Sequence, residues 1–289
     1  MTERRLHSVH RGDGLHWVGD GFHVTQVLPG SDELHKLADP FLLMDYHPVT
    51  VYEPTDRPRG VGPHPHRGFE TVTIAFEGAV AHHDSTGAGG VIHPGDVQWM
   101  TAARGLLHKE YHEQEWARTG GRFHMMQLWV NLPGANKMDE PGYQALEAGA
   151  MGRVELPGGG TVTLIAGELD GVTGPARTFT PIELWDVSLG AEERAELAVP
   201  DGHTEMVFVI DGELAAGGGR IGEQELGVFE RSGDGLVLAA GPAGARAIVL
   251  GGRPIGEDVI FYGPFAMNTR EEIVAAIRDF ESGRFGSLV

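Results

Sequence analysis

From residue 69 onward, short apolar stretches alternate with turn segments rich in glycine and proline. Each stretch has the length of a single β-strand, and each is bounded by Gly or Pro. The clearest stretches read FETVTIAFEG, GGVIHPGDVQWM, LLHKEYHE and RFHMMQLWVNLP. Short strands at this spacing predict an all-β protein, built as a sandwich or a barrel.

A second series of strand-like stretches begins at residue 161 with TVTLIAGEL and ends with ARAIVLGG. The two series resemble diverged copies of one unit, because ETVTIAFEG in the first corresponds to EMVFVIDG in the second. In this alignment His108 of the first copy corresponds to Arg246 of the second, so the second copy has lost a histidine. Residues 136–160 lose the strand pattern and predict a connector, with a short helix near residues 143–148.

The C-terminal segment NTREEIVAAIRDFESG has the pattern of one amphipathic helix. Thr269 and Glu272 form a capping-box pair, and Ile273, Ile277 and Phe280 make an apolar stripe. The predicted organisation is a first barrel in residues 1–135, a connector in residues 136–160, a second barrel in residues 161–268, and a helix with its tail in residues 269–289.

Composition narrows the class of protein. A formal net charge of −19 argues against direct nucleic-acid binding, because the phosphate backbone requires a basic surface. The absence of cysteine excludes disulfides, thiolate metal sites and thiol nucleophiles. No stretch approaches about 18 apolar residues, and the N-terminus lacks the apolar core of a secretory signal. A cytoplasmic protein without membrane contact is therefore predicted.

Two histidines, His64 and His66, lie one residue apart in GPHPHRGFETV. Alternate residues of an extended chain share a face, so both imidazoles are expected to point the same way. If the strand continues through Gly68, Glu70 and the apolar residues of the next stretch share that face, while Thr73 points outward. The histidines would then enter the barrel interior. A bulge at Gly68 would reverse this register.

The stretch GLLHKEYHE places a second polar set on one strand face. His108, Glu110 and His112 alternate on that face, with Lys109 and Tyr111 opposite. A His-x-His strand beside a His-x-Glu strand provides three neutral nitrogens and one carboxylate. Such a set suits a divalent first-row metal, namely Fe(II), Mn(II), Ni(II), Cu(II) or Zn(II). His112 lies farther along the strand, where a surface or supporting role is expected.

Two questions about the metal ligands stay open, namely which carboxylate binds and whether a second site exists. The strand parity permits either Glu70 or Glu110 as the carboxylate ligand. The stretch AHHDSTGAGG contains His82, His83 and Asp84, but adjacent histidines face opposite ways on a strand. A solvated hairpin is therefore predicted there rather than a second metal site.

Several motifs together resemble the pirin family of the cupin superfamily, over nearly the whole chain. These motifs are HPHRGFETV, HPGDVQWMTAARGLLHKE, QLWVNLP, KMDEPGYQ and GPFAMNTREEI. The resemblance implies two stacked cupin (jelly-roll) β-barrels with a short C-terminal helix, and an iron-type metal in the first barrel only. It implies the metal ligands His64, His66, His108 and Glu110. Most cupins use the glutamate of the first motif, here Glu70, whereas in pirins the carboxylate follows the last histidine.

The same resemblance implies a function. It indicates a dioxygenase that opens a flavonol such as quercetin, with Fe(II) as the expected metal and Glu110 as the candidate general base. It also leaves a second interpretation, a metal- or redox-sensing protein that binds a transcription factor or a metabolic enzyme. Both barrels lie in one chain, so a monomer is predicted.

Overall fold

The chain is built mainly of antiparallel β-strands, and the computed structural model describes residues 1–288. The strands in chain order are β1 (Leu6–Arg11), β2 (His16–Val18), β3 (Phe22–Leu28), β4 (Phe41–Tyr52), β5 (Gly60–His66), β6 (Phe69–Glu77), β7 (Val80–Asp84), β8 (Gly89–Ile92), β9 (Val97–Thr101), β10 (Leu106–His112), β11 (Gly121–Asn131), β12 (Gly142–Leu146), β13 (Gly152–Glu155), β14 (Thr161–Ala166), β15 (Glu168–Leu169), β16 (Val172–Thr173), β17 (Ile182–Leu189), β18 (Arg194–Ala198), β19 (Thr204–Ala216), β20 (Gly219–Ile221), β21 (Glu225–Phe229), β22 (Gly235–Gly252), β23 (Ile260–Tyr262) and β24 (Phe265–Met267). The α-helices are α1 (Asp32–Ala38), α2 (Gln114–Thr119) and α3 (Arg270–Glu281). The prediction of an all-β protein is confirmed.

The chain forms two compact units, and neither is continuous in sequence. We call them the first-half unit, made of Gly14–Gln26, Phe41–Ala148 and Ile255–Val289, and the second-half unit, made of Met1–Asp13, Val27–Pro40 and Gly149–Pro254. The boundaries expected from sequence assumed that each barrel is one continuous segment. The units differ from that expectation at both chain ends, because β1 pairs with β21 of the second-half unit and α3 packs on β24 of the first-half unit.

The first-half unit contains two main sheets. One is seven-stranded, in the order β12-β9-β6-β11-β4-β3-β2, and the other is four-stranded, in the order β5-β10-β7-β8. All of β6 apart from Glu77 is buried, so both faces of that strand are covered. The four-stranded sheet carries both candidate metal-binding stretches on adjacent strands.

The second-half unit is organised around a nine-stranded sheet. Its main order is β1-β21-β19-β22-β17-β14-β13, with β18 paired to β22 and β20 to β19. The core of this unit is apolar and includes the fully buried side chains of Trp185, Leu236 and Val249. This composition is that of a structural core.

The predicted connector contains regular structure. The predicted helix near residues 143–148 is wrong, because β12 occupies Gly142–Leu146 and pairs with β9. Tyr143 is half-buried and Leu146 is buried, so these apolar residues are explained by strand burial. A short 3₁₀ helix follows at Ala148–Ala150. After it, β13 pairs with β14 of the second-half unit.

Helix α3 has the capping box that the sequence predicts. The side chain of Thr269 accepts from the Glu272 amide, and the Glu272 carboxylate accepts from the Thr269 amide. Ile273 is buried, while Phe280 is 40% exposed, so only part of the predicted apolar stripe is covered. Asp279 of this helix pairs with the buried Arg67, whose Nη2 lies 2.9 Å away. None of the helices described in residues 1–288 has both the length and the apolar character needed to cross a membrane.

The chain breaks direction between β5 and β6 at Gly68. This residue has φ +91°, and a side-chain carbon there would lie 2.0 Å from the Ala266 carbonyl oxygen, so glycine is required. The buried Lys137 ammonium donates to the carbonyls of Gly68 (2.7 Å) and Ala266 (3.0 Å) and to Asn131 Oδ1 (2.6 Å). All three ammonium donors are thereby used, and the break is fixed to β24.

Two buried carboxylates flank Gly251 in the second-half unit. Glu183 on β17 and Glu205 on β19 both stand opposite this glycine on β22. A side-chain carbon on Gly251 would lie 2.6 Å from Glu205 Oε1 and 2.8 Å from Glu183 Oε2, so glycine leaves room for both. Neither oxygen of Glu205 has a hydrogen-bond partner among the described residues. Burial, reinforced by the Glu183 charge, raises the pKa of Glu205 well above its usual range.

We expect Glu205→Gln to gain stability relative to the unchanged protein as pH rises. Because the folded-state pKa of Glu205 is raised, its folded state keeps a proton that the unfolded state loses above about pH 4.5. The contribution of Glu205 to the free energy of unfolding then falls by about 1.4 kcal/mol per pH unit, until the pH reaches its folded-state pKa. Urea unfolding of both proteins between about pH 5 and about pH 8 should show a widening difference in midpoint. Glu196→Gln, at an exposed position, is the control. A difference in midpoint between Glu205→Gln and the unchanged protein that stays constant with pH would contradict the raised pKa of Glu205.

Candidate metal centre

Strand pairing brings the predicted ligands onto two adjacent strands of the four-stranded sheet, β5 and β10. On β10, His108 lies opposite His64 of β5 on one side and opposite Asp84 of β7 on the other. Glu110 lies opposite His82 of β7. Buried and half-buried residues alternate strictly along β10, which confirms the predicted shared face of His108, Glu110 and His112.

The imidazoles of His64, His66 and His108 converge. Their ring centroids are 4.1 Å apart for His64 and His108, 4.8 Å for His66 and His108, and 4.9 Å for His64 and His66. One ring nitrogen from each lies within 4.8 Å of the others. His66 and His108 are buried, and His64 is half-buried. The three nitrogens are therefore close enough to bind one ion.

The hydrogen bonds of these rings favour metal binding through Nε2. The Nδ1 atom of His64 lies 2.8 Å from the Gly62 carbonyl oxygen, and that of His66 lies 3.4 Å from the Pro264 carbonyl oxygen. A carbonyl can only accept, so these contacts place the proton on Nδ1 and leave the Nε2 lone pair free. His108 Nε2 is buried and has no hydrogen-bond partner among residues 1–288. A metal ion would satisfy this atom.

Burial keeps two of these histidines neutral. It lowers the pKa of His66 well below 6.5, and the neighbouring His64 lowers it further. It lowers the pKa of His108 likewise, with His66 and His64 adding to the effect. Neutral imidazole is the form that binds a metal, so burial holds both rings in the protonation state that metal binding requires.

The Glu110 carboxylate is held by donors from the facing seven-stranded sheet. Gln98, Thr73 and Gln127 stand in one row across β9, β6 and β11. Thr73 Oγ1 (3.2 Å) and Gln98 Nε2 (3.0 Å) donate to Glu110 Oε1, and Gln127 Nε2 (2.9 Å) donates to Oε2. Because Oε2 accepts only one of these bonds, it retains a lone pair for a metal or a proton.

The four predicted ligands do not all lie equally close to one another. The three histidines form one group within 4.8 Å, and Glu110 forms a second such group with His82 and His108. His108 belongs to both groups and so stands between the histidine cluster and the carboxylate. Three neutral nitrogens with an adjacent carboxylate fit a divalent first-row metal.

Glu70, the alternative carboxylate, lies elsewhere. It is buried at the start of β6, where it accepts a 2.7 Å bond from Thr101 Oγ1, and it belongs to neither ligand group. Burial raises its pKa to about 7. Of the two alternatives left open at Gly68, the strand does not continue, because the break there places β5 and β6 in different sheets. Thr73, expected to point outward only if the strand continued, instead donates to Glu110.

Two other predictions about histidines need correction. The predicted solvated hairpin is wrong for His82 and Asp84, which are 0% and 5% exposed, although His83 is exposed. The surface alternative is wrong for His112, which is buried, with Nε2 2.9 Å from the Gly21 carbonyl oxygen. Burial lowers the pKa of His112 to about 4.

Sequence reasoning missed the supporting groups around the ligands. Gln98, Thr73 and Gln127 carry no motif of their own, and only the strand register brings them together. His82 and Asp84 alternate on one strand in the manner of His64 and His66, and that signal could have identified them.

A small cavity of about 30 Å³ adjoins the centre. Its polar lining includes His64, Glu110 and Asp45, and its apolar lining includes Phe22 and Met125. Burial raises the pKa of Asp45 to about 6. The cavity thus combines candidate ligands with an apolar wall, which is the usual composition of a small-molecule site.

Comparisons with known proteins show which family this chain resembles. The family model described as Pirin matches residues 21–130, and the model described as Pirin C-terminal cupin domain matches residues 184–286. A Pseudomonas aeruginosa protein, provisionally named a quercetin 2,3-dioxygenase, is 47% identical over 98% of both chains. A pirin-like protein of Caulobacter vibrioides is 40% identical over 92% of this chain and 94% of its own.

A solved structure is also similar to this chain along nearly its whole length. A crystal structure described as quercetin 2,3-dioxygenase from Acinetobacter baumannii superposes with a TM-score of 0.94 at 43% identity, and it covers 99% of this chain and all of its own. The prediction of two cupin domains with a short C-terminal helix is confirmed. The chain belongs to the pirin family.

Proposed function

We propose that this chain is a metal-dependent dioxygenase that opens flavonols of the quercetin type. One observation carries the proposal: three imidazoles converge beside a carboxylate and a cavity with an apolar wall, and the buried His108 Nε2 has no hydrogen-bond partner among the described residues. The similar proteins named as quercetin 2,3-dioxygenases support the same substrate class.

His64, His66 and His108 would hold the metal through Nε2, and Glu110 would complete the set through Oε2. We propose Fe(II), with Mn(II), Ni(II), Cu(II) and Zn(II) as the alternatives that the same donors accept. When bound, a divalent cation supplies a Lewis-acidic centre that lowers the pKa of a coordinated hydroxyl group. The histidines add no charge, so this effect is not diminished by them.

Glu110 is the proposed general base. Glu110 lines the cavity beside the centre, and its carboxylate, once released from the metal, would accept the proton of the flavonol enolic hydroxyl. Thr73, Gln98 and Gln127 fix the carboxylate, so that its orientation is set before substrate binds.

The cavity must widen to admit a flavonol. A volume of about 30 Å³ holds about one water molecule, whereas drug-sized ligands need about 300 Å³ or more. The apolar wall that would contact the flavonol rings includes Val18 and Phe22 on neighbouring strands β2 and β3. We therefore propose that these side chains move apart on binding.

We propose one metal per chain, in the first-half unit. Both ligand groups found among the described residues lie there. In the second-half unit, the position that corresponds to His108 carries Arg246, which is engaged with Asp186 through a 2.6 Å ion pair. The neighbouring Ile248 is fully buried in apolar surroundings.

The proposed activity is tested by incubating the Fe(II)-loaded protein with quercetin while following flavonol absorbance and oxygen uptake. We expect turnover that falls at least about 100-fold in His66→Ala. His83→Ala is the matched control, because this exposed histidine lies in the same sheet but belongs to neither ligand group. Absence of turnover in protein shown to contain metal would contradict the proposal. A partner protein whose affinity differs between the Fe(II) and Fe(III) forms would then favour the sensor interpretation.

A further inference from the structure

A buried pair on β7, His82 and Asp84, lies behind the candidate ligand His108. Both side chains share one face of the strand, and both are at least nine-tenths buried. His82 Nδ1 lies 3.3 Å from His108 Nδ1. On the far side of the ring, His82 Nε2 lies 3.6 Å from Asp84 Oδ2. The three side chains therefore form a line that leads away from the centre.

Asp84 is fixed in this line by its other oxygen. Oδ1 accepts from the Thr86 amide (2.8 Å), the Thr86 hydroxyl (2.6 Å) and the Ala88 amide (3.2 Å). Oδ2 is buried and has no hydrogen-bond partner among the described residues, so it presents an available acceptor to His82. His82 is further held by Tyr143, whose ring stacks on it at 5.2 Å and 16°.

This arrangement selects one tautomer for each ring. A carboxylate can only accept, so the proton of His82 belongs on Nε2, facing Asp84. His82 Nδ1 then carries a lone pair, and the single proton between the two Nδ1 atoms must sit on His108. With its proton on Nδ1, His108 has an unprotonated Nε2. In the opposite assignment the buried Nε2 proton of His108 has no acceptor among the described residues. In the present assignment the Nε2 proton of His82 faces the negative Asp84 carboxylate at 3.6 Å, which is a charge attraction rather than a hydrogen bond.

We propose that His82 and Asp84 are positioning residues, which hold the proton on His108 Nδ1 and so present an unprotonated Nε2 to the metal. This inference rests on the proposed metal centre. A histidine ligand that donates its second N–H to a neighbouring acceptor is the usual way in which proteins set the tautomer of a metal-binding imidazole. Here the acceptor is a second histidine, whose own tautomer is set by a carboxylate.

Three substitutions separate this role from simple packing. In Asp84→Asn the amide can donate to His82 Nε2, which would reverse both tautomers. His82→Leu removes the acceptor from His108 Nδ1. His82→Asn restores an acceptor near that position. We expect Fe(II) affinity, measured by chelator competition, to fall about 10- to 100-fold in the first two and to recover in His82→Asn. His83→Ala is the control and should bind as the unchanged protein does.

The tautomer itself is measured on the metal-free protein by ¹⁵N NMR with labelled histidine. We expect the Nδ1–H form of His108 in the unchanged protein and the Nε2–H form in Asp84→Asn. Unchanged metal affinity in Asp84→Asn, or an Nε2–H form of His108 in the unchanged protein, would overturn the proposal. A second metal ion per chain, bound between the two Nδ1 atoms, would also overturn it.

The two proposals fail in different ways. If the unchanged protein binds no metal, the proposed function fails, while NMR of the metal-free protein still reports the His108 tautomer. If His82→Leu does not fold, Asp84→Asn alone decides the question, since it is nearly isosteric and can keep the Thr86 contacts.

Discussion

His108→Ala is expected to lower the affinity of the protein for Fe(II) by more than about 100-fold. Within residues 1–288, the buried Nε2 of His108 has no hydrogen-bond partner, and His108 is the histidine that belongs to both ligand groups. Loss of a supporting residue behind a metal ligand already costs about 10- to 100-fold in affinity, so loss of the ligand should cost more. Chelator competition under anaerobic conditions measures the change.

His112→Ala is the matched control for this substitution. His112 lies on the same strand and the same face, but its ring packs among Tyr52, Trp116 and Phe123. We expect His112→Ala to lower the thermal midpoint by loss of packing while its Fe(II) affinity stays unchanged. Equal Fe(II) affinities for His108→Ala and His112→Ala would contradict the assignment of His108 as a metal ligand.

Glu110→Gln is expected to lower kcat for quercetin by about 10²- to 10⁴-fold, the range typical of a lost general base. The amide cannot accept the substrate proton, although it has nearly the same shape as the carboxylate. The three histidines remain, so we expect metal to stay bound. Steady-state kinetics with metal analysis of the same sample separates loss of chemistry from loss of metal.

Glu70→Gln decides between the two carboxylates that the sequence left open. Glu70 is buried, as Glu110 is, but its Oε1 accepts a hydrogen bond from Thr101 and it lies in neither ligand group. We expect Glu70→Gln to retain kcat within about threefold and to keep its metal. A loss in Glu70→Gln that matches the loss in Glu110→Gln would contradict the assignment of Glu110 as the base.

The β10 part of the site could be predicted from the sequence because this strand is regular. Without an interrupting glycine, the period of two from Leu106 to His112 fixes which side chains share a face. The same reasoning could not decide the register across Gly68. There a positive φ and the close approach of Ala266 end one strand and start another in a different sheet.

The supporting residues could not be predicted in the same way. Gln98, Thr73 and Gln127 are far apart in the chain and meet only because β9, β6 and β11 are neighbours in the sheet. Alternation places His82 and Asp84 on one face of β7, but it does not show that this face is the buried one. One residue that covers His82 is Tyr143, which stacks on it and lies in the segment expected to be a connector.

The N-terminal strand belongs to the second-half unit and the C-terminal helix to the first-half unit, and no local sequence signal predicts either assignment. The first strand has the alternating burial of an ordinary edge strand, and nothing in its residues specifies β21 as its partner. Such pairings depend on long-range register, whereas the capping box of α3 depends on residues three apart and was predicted correctly.

The most direct test of the central claim is an anomalous-scattering map from crystals of the protein soaked in Fe(II). We expect one peak per chain, about 2.1 Å from Nε2 of His64, His66 and His108 and next to Glu110 Oε2. A peak on the His82 side of His108, or no peak within bonding distance of the three histidines in fully soaked crystals, would contradict the account.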